Sequence, residues 1–176
     1  MMDEALRARA AAIRFLTCDV DGVLTDGSVY IDDEGRESKA FNARDGLGLK
    51  MLMRMGIGVA FITGSNAPAV MHRAQALGVS RVTLGADDKL TAWEALRKEA
   101  GLSDSACAHI GDDLPDVPVF LRCGLAIAVP DAPPRVAARA HLVTANTGGK
   151  GAVREVCELI LDAHGALRSQ YATFGA

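Results

Sequence analysis

The chain has no surplus of positive charge: 19 Lys and Arg stand against 22 Asp and Glu, a formal net charge of −3. That excludes a basic field for nucleic acid or an anionic membrane, so an anionic ligand must be held by local cations or a metal. There is no C-x-x-C pair. Cys18, Cys107, Cys123 and Cys157 lie far apart within apolar segments, as buried, reduced thiols of a cytosolic protein do. No run reaches membrane-spanning length. The first twelve residues start acidic, carry Arg7 and Arg9 among alanines, and lack the apolar core of a signal peptide. A short leading helix and a cytoplasmic location are expected. With no internal repeat or low-complexity linker, residues 1–176 are expected to form one domain, burying roughly two thirds of the unfolded surface.

What is present is an alternation of strand-like and helix-like runs. Ile13 to Cys18, Ile57 to Ile62, Arg81 to Leu84, Cys107 to Ile110, Leu125 to Val129 and His141 to Val143 read as strands. Helical stretches fill the gaps: Gly46–Met55, Ala67–Leu77, Leu90–Ala100, Leu114–Leu121, Pro134–Ala138 and Ala152–Ala163. The alternation predicts an α/β fold, a doubly wound parallel sheet covered on both faces. One segment breaks the rhythm. Ser28–Ile31 and Ser38–Phe41 flank the turn-rich Asp32-Asp33-Glu34-Gly35, which predicts a β-hairpin over 28–41.

Polar residues gather where these strands end. Asp19 and Asp21 follow the first strand, with Gly22 to turn the chain. In an open parallel sheet that carboxyl edge is where ligands bind. One carboxylate can attack or hold a metal, and the other can move a proton; a solvated acidic turn is the plainer reading of the pair alone. Thr63, with Gly64-Ser65-Asn66 behind it, offers a hydroxyl and backbone N–H groups to an anion, or merely a helix cap. Lys89 opens a helix, against the dipole unless an anion is near. Asp112, Asp113 and Asp116 cluster after another strand; an acidic helix start explains one or two, whereas three repel unless a cation such as Mg²⁺ neutralises them.

In this order, the four clusters resemble the motifs of the haloacid dehalogenase superfamily. Asp19-Val-Asp-Gly-Val-Leu-Thr-Asp-Gly27, Phe41-Asn-Ala-Arg-Asp-Gly46, Gly111-Asp-Asp-Leu-Pro-Asp116 and Gly148-Gly-Lys-Gly-Ala-Val-Arg-Glu-Val-Cys157 are similar to the 3-deoxy-D-manno-octulosonate 8-phosphate (KDO 8-phosphate) phosphatase family. The resemblance implies a Mg²⁺-dependent cytoplasmic tetramer acting on a sugar phosphate in lipopolysaccharide precursor synthesis. It implies Asp19 as nucleophile, Asp21 as acid and base, and a metal on Asp19, the Asp21 carbonyl and Asp112. Thr63, Gly64 and Lys89 would hold the phosphoryl group, with Asp113 and Asp116 behind them. Arg44, Ser65 and Lys150 would face the substrate, Arg44 pairing with its carboxylate. The family commonly has Arg where this chain has Ser65 and Lys150.

The spacings between Asp19, Thr63 and Lys89 leave no room for a cap domain. The site therefore needs a roof from another subunit, either the hairpin or the segment beyond Gly148, whose tail 165–176 carries Tyr171 and Phe174. That glycine-rich segment is expected to lack a fixed shape on its own. The competing readings are a phosphatase of nine-carbon sugar acid 9-phosphates, a response-regulator receiver, and a non-catalytic assembly domain. Arg44 speaks against the first, the Gly-Asp-Asp cluster against the second, and the complete set of carboxylates against the third.

Overall fold

The computed structural model describes residues 3–175. Phe15–Cys18 forms β1, with all four residues buried; it lies in the middle of the molecule because Phe15, Leu16 and Cys18 are apolar and the Thr17 hydroxyl is satisfied there, donating to the Ala108 carbonyl at 3.0 Å. Burial of a side chain such as Leu16 contributes about 2 kcal/mol. Parallel to β1 run β4 (Gly58–Ile62) on one side and β6 (Cys107–Gly111) on the other. Beyond them lie β5 (Arg81–Thr83), then β7 (Leu125–Ala128) and β8 (Leu142–Val143), giving the order β5-β4-β1-β6-β7-β8. Every pairing is parallel. The doubly wound sheet is as expected, and among the described residues no cap domain interrupts it.

The helices are α1 (Glu4–Ala12), α2 (Ala43–Arg54), α3 (Pro68–Leu77), α4 (Lys89–Glu99), α5 (Val117–Phe120), α6 (Pro134–Ala137), α7 (Ala152–Ala163) and α8 (Leu167–Ala172). In α7 the buried Val153, Val156, Cys157, Ile160 and Leu161 recur at helical spacing, making one apolar stripe that packs against α2. Asn42 caps α2, its Oδ1 accepting from Arg44 N at 2.8 Å, so the helix begins three residues before the expected Gly46. The expected helix Leu114–Leu121 is instead a 3₁₀ turn, Leu114–Asp116, running into α5. Pro115 and Pro118 withhold the N–H donors that a longer regular helix would need.

The hairpin is present but short: β2 (Tyr30–Ile31) pairs antiparallel with β3 (Glu37–Ser38). The tail departs from expectation more. Residues 167–172 form a helix docked on α7 of the same chain, where the Tyr171 hydroxyl donates to Glu158 at 2.6 Å and the Arg154 guanidinium lies over the Tyr171 ring. The glycine-rich segment, expected to lack a fixed shape on its own, takes one from its neighbours. Gly149 N donates to the Val23 carbonyl at 2.9 Å, and Gly149 O accepts from Asn42 at 3.0 Å, so packing on the Asp21–Asp26 loop gives it a defined course. All four cysteines are buried and free; burial pushes the Cys123 thiol up to about 12. Among the described residues, no helix is long and apolar enough to cross a membrane.

Candidate active site

The chain leaves β1 toward β4 on one side and later returns to β6 on the other, which opens a crevice at the carboxyl end of β1. Asp19 is the first residue past β1 and is held there by its N–H donating to Ile110 O at 3.0 Å. Thr63 follows β4, and Asp112 follows β6. Neighbouring parallel strands in register thus carry all three to one edge. Gly22 (φ 84°) turns the loop, and a Cβ there would overlap the Asp112 carboxylate. Thr25, buried beneath, accepts from the N–H groups of Gly22 and Gly27 through Oγ1.

An open pocket of about 440 Å³ lies over this edge, lined by Asp19, Asp21, Thr63, Gly64, Ser65, Lys89, Asp112 and Asp113 among others. Lys89 Nζ lies 2.9 Å from Asp19 Oδ1 and 2.7 Å from Asp116 Oδ1. These two anions answer the dipole objection to a lysine in a first helical turn. Lys89 is 6% exposed and Asp116 not at all. Burial opposes the ammonium charge, but Asp19 and Asp116 outweigh it and raise the Lys89 pKa. Burial, and then the charge of Asp116, push the Asp19 carboxyl well above the usual range despite Lys89.

Asp116 behaves oppositely. Burial alone would raise it, but His109 Nε2 at 2.9 Å and Lys89 bring its pKa down to about 2. Its Oδ2 also accepts from the N–H groups of Asp112 and Asp113, at 3.1 and 3.2 Å. Thr63 Oγ1 accepts from Ser65 N at 3.0 Å, and Ser65 Oγ from Ala67 N at 3.1 Å, so these residues form a turned cradle ahead of α3.

Carboxylate oxygens of Asp19, Asp112 and Asp116 lie within 4.8 Å of one another. Those of Asp116 are committed to Lys89, His109 and backbone amides, which leaves Asp112 and the Asp19 oxygen not paired with Lys89 to face a cation. Burial raises the Asp112 pKa as well. Two hard oxygen donors, crowded and resisting ionisation, fit a divalent cation that would relieve their repulsion.

Arg44 and Lys150 are not brought to the pocket. Both are exposed, and Arg44 Nη2 reaches the Lys150 carbonyl at 3.4 Å. Sequence reasoning missed Lys39, whose Nζ bonds Asp21 Oδ1, and His109, which supports Asp116. A lone histidine in an apolar strand was the only signal for the second; the first had none.

The fold and the chemistry at its carboxyl edge define a hydrolase of the haloacid dehalogenase-like class, and the model of that family, haloacid dehalogenase-like hydrolase, matches residues 81–156. The 3-deoxy-D-manno-octulosonate 8-phosphate phosphatase KdsC of Yersinia pestis is 49% identical over 153 residues, 87% of this chain and 82% of that one. The crystal structure of the phosphatase of that name from Moraxella catarrhalis, in complex with magnesium, phosphate and KDO, has a TM-score of 0.96 at 44% identity, covering 98% of this chain and 99% of that one. The cobalt-bound form of the enzyme from Haemophilus influenzae has a TM-score of 0.90 at 41% identity, covering 93% and 99%. The chain belongs to the 3-deoxy-D-manno-octulosonate 8-phosphate phosphatase family and is a phosphoric monoester hydrolase.

Proposed function

We propose that the whole chain is one catalytic domain that hydrolyses KDO 8-phosphate to KDO and phosphate through an aspartyl phosphate, in the cytoplasm, as a step of lipopolysaccharide precursor synthesis. The observation that carries this reading is the Asp19–Lys89 pair at 2.9 Å beside Asp21, in the pocket at the sheet edge. Asp19 attacks phosphorus in line while Asp21 gives a proton to the leaving ester oxygen; Asp21 then takes a proton from the water that hydrolyses the aspartyl phosphate. Lys89, Thr63 and the N–H of Gly64 hold the phosphoryl oxygens. Asp116 and His109 hold Lys89 in place, and Asp113 caps the turn that carries Asp116. Mg²⁺, when bound by Asp19, the Asp21 carbonyl and Asp112, screens repulsion between anionic nucleophile and anionic ester.

Without a cap domain, the site borrows its roof from a tetramer. Val29, Tyr30 and Ile31 on the hairpin are 62%, 51% and 67% exposed, an apolar patch that suits a subunit contact. Arg44 and Lys150, remote from their own pocket, would then meet the sugar acid in a neighbouring one together with Ser65 of that site. The docked α8 narrows the tail's part in this roof to residues beyond Ala172. The reading is tested by phosphate release from KDO 8-phosphate, a nine-carbon sugar acid 9-phosphate and p-nitrophenyl phosphate, with Mg²⁺ and with a chelator. Metal-dependent release, greatest on KDO 8-phosphate, is expected; preference for the nine-carbon ester would shift the substrate, and no release from any would overturn the reading.

A further inference from the structure

Lys39 follows β3 at the base of the hairpin, and its side chain is 2% exposed. A buried ammonium is costly unless it is paired. Its Nζ donates to Asp21 Oδ1 and to Glu37 Oε1, each at 2.5 Å. The other oxygen of Asp21, Oδ2, faces Thr63 Oγ1 at 3.4 Å, a long contact with a hydroxyl that itself lines the phosphoryl pocket. The two oxygens of Asp21 are therefore inequivalent. One is held by a cation from the hairpin, and the other turns to the pocket with only a weak partner.

We propose that Lys39 is the positioning residue for Asp21: by pinning Oδ1 it fixes the carboxylate so that Oδ2 is the oxygen that exchanges protons with the reacting groups. This rests on the phosphatase reading above. As the bond from phosphorus to the ester oxygen breaks and the bond to Asp19 forms, the proton on Oδ2 passes to the ester oxygen. As water attacks phosphorus and the bond to Asp19 breaks, Oδ2 takes a proton from that water. The proton account closes over the cycle and Lys39 gives up none. A hairpin residue thereby takes part in chemistry at its own subunit's site, and the ordering of the hairpin base becomes a condition for a well-aimed Asp21.

The test compares wild type, Lys39→Met and Lys39→Gln on two esters at saturating Mg²⁺. KDO 8-phosphate expels an alkoxide that needs the proton, whereas p-nitrophenyl phosphate expels a nitrophenolate that does not. The ratio kcat/KM reports events up to ester cleavage and so excludes the later hydrolysis. Lys39→Met should lose about 10²-fold on the sugar phosphate and less than about tenfold on the aryl ester. Lys39→Gln, which keeps a neutral donor to Oδ1, should fall between. Mg²⁺ affinity by calorimetry should be unchanged. If Lys39→Met disturbs the hairpin, seen by circular dichroism, the ratio measured for Lys39→Gln decides. Equal losses on both esters, or none, would show that Lys39 only fastens the hairpin. A wild type that cleaves neither ester would instead bring down the phosphatase reading itself.

Discussion

The carbonyl oxygen of Gly22 occupies the space that a side chain on Gly148 would need. The glycine-rich segment before α7 is thus wedged against the loop that carries Asp21, although Gly22 and Gly148 lie 126 residues apart in the chain. Gly148→Ala should push that loop outward. Overpacking of this kind costs about 1–3 kcal/mol, and an ångström of misplacement at a reacting group costs about 10²-fold in rate. A thermal melt and kcat on the sugar phosphate check both. Wild-type kcat would mean the loop absorbs the methyl without moving Asp21.

Asp19→Asn should separate activity from stability. Removing the nucleophilic oxygen should lower turnover at least about 10³-fold. Burial and Asp116 raise the folded-state pKa of Asp19, so its ionisation costs stability above the ordinary carboxylate range. Without metal at neutral pH, the Asn variant should therefore melt at or above the wild-type temperature, with the difference fading in acid. A large fall in melting temperature would show that the Lys89 bond outweighs burial.

Asp116 carries the opposite sign. Its pKa of about 2 lies below the ordinary carboxylate value of 3.8, so it contributes stability that is present above 3.8 and is lost as pH falls toward 2. Asp116→Asn should cost about 2 kcal/mol at neutral pH, and that deficit should shrink in acid. Urea unfolding at neutral pH and at about pH 2 measures the difference directly. Turnover should fall as well, because Lys89 loses the negative charge of Asp116 that holds it.

Replacing Tyr30 and Ile31 together by Ser leaves the pocket residues untouched while removing the exposed apolar patch. If the proposed tetramer forms through this patch, it should dissociate in sedimentation velocity, and KM for the sugar phosphate should rise with Mg²⁺ affinity unchanged. An intact tetramer with wild-type KM would place the subunit contact elsewhere.

Several features were legible along the chain because they depend on local pattern. The largely apolar run around β1 reads as a buried strand, and polar residues directly after β1, β4 and β6 emerge at one edge of a parallel sheet. That reasoning reaches Asp19, Thr63 and Asp112 without coordinates, and the place of Lys89 in a first helical turn adds the cation. Helix starts were less legible: Asn42 competes as a cap through its side chain, and Pro115 and Pro118 break the α-helical ladder in ways that hydrophobic periodicity does not register.

The sequence by itself determined the fold class, the edge at which chemistry gathers and the residue types placed there, since strand burial and the turn at Gly22 are properties of a few adjacent residues. Only the tertiary structure decided which cation serves which carboxylate. Lys89 meets Asp19 and Asp116, Lys39 meets Asp21, His109 holds Asp116, and Gly148 braces Gly22. It also kept Arg44 and Lys150 away from their own pocket and folded the tail onto α7. Apart from His109 and Asp116, which are seven residues apart, these pairings join residues on different elements, and ion pairs and close packing depend on separation in space, which the backbone sets only once the sheet and its helices have assembled.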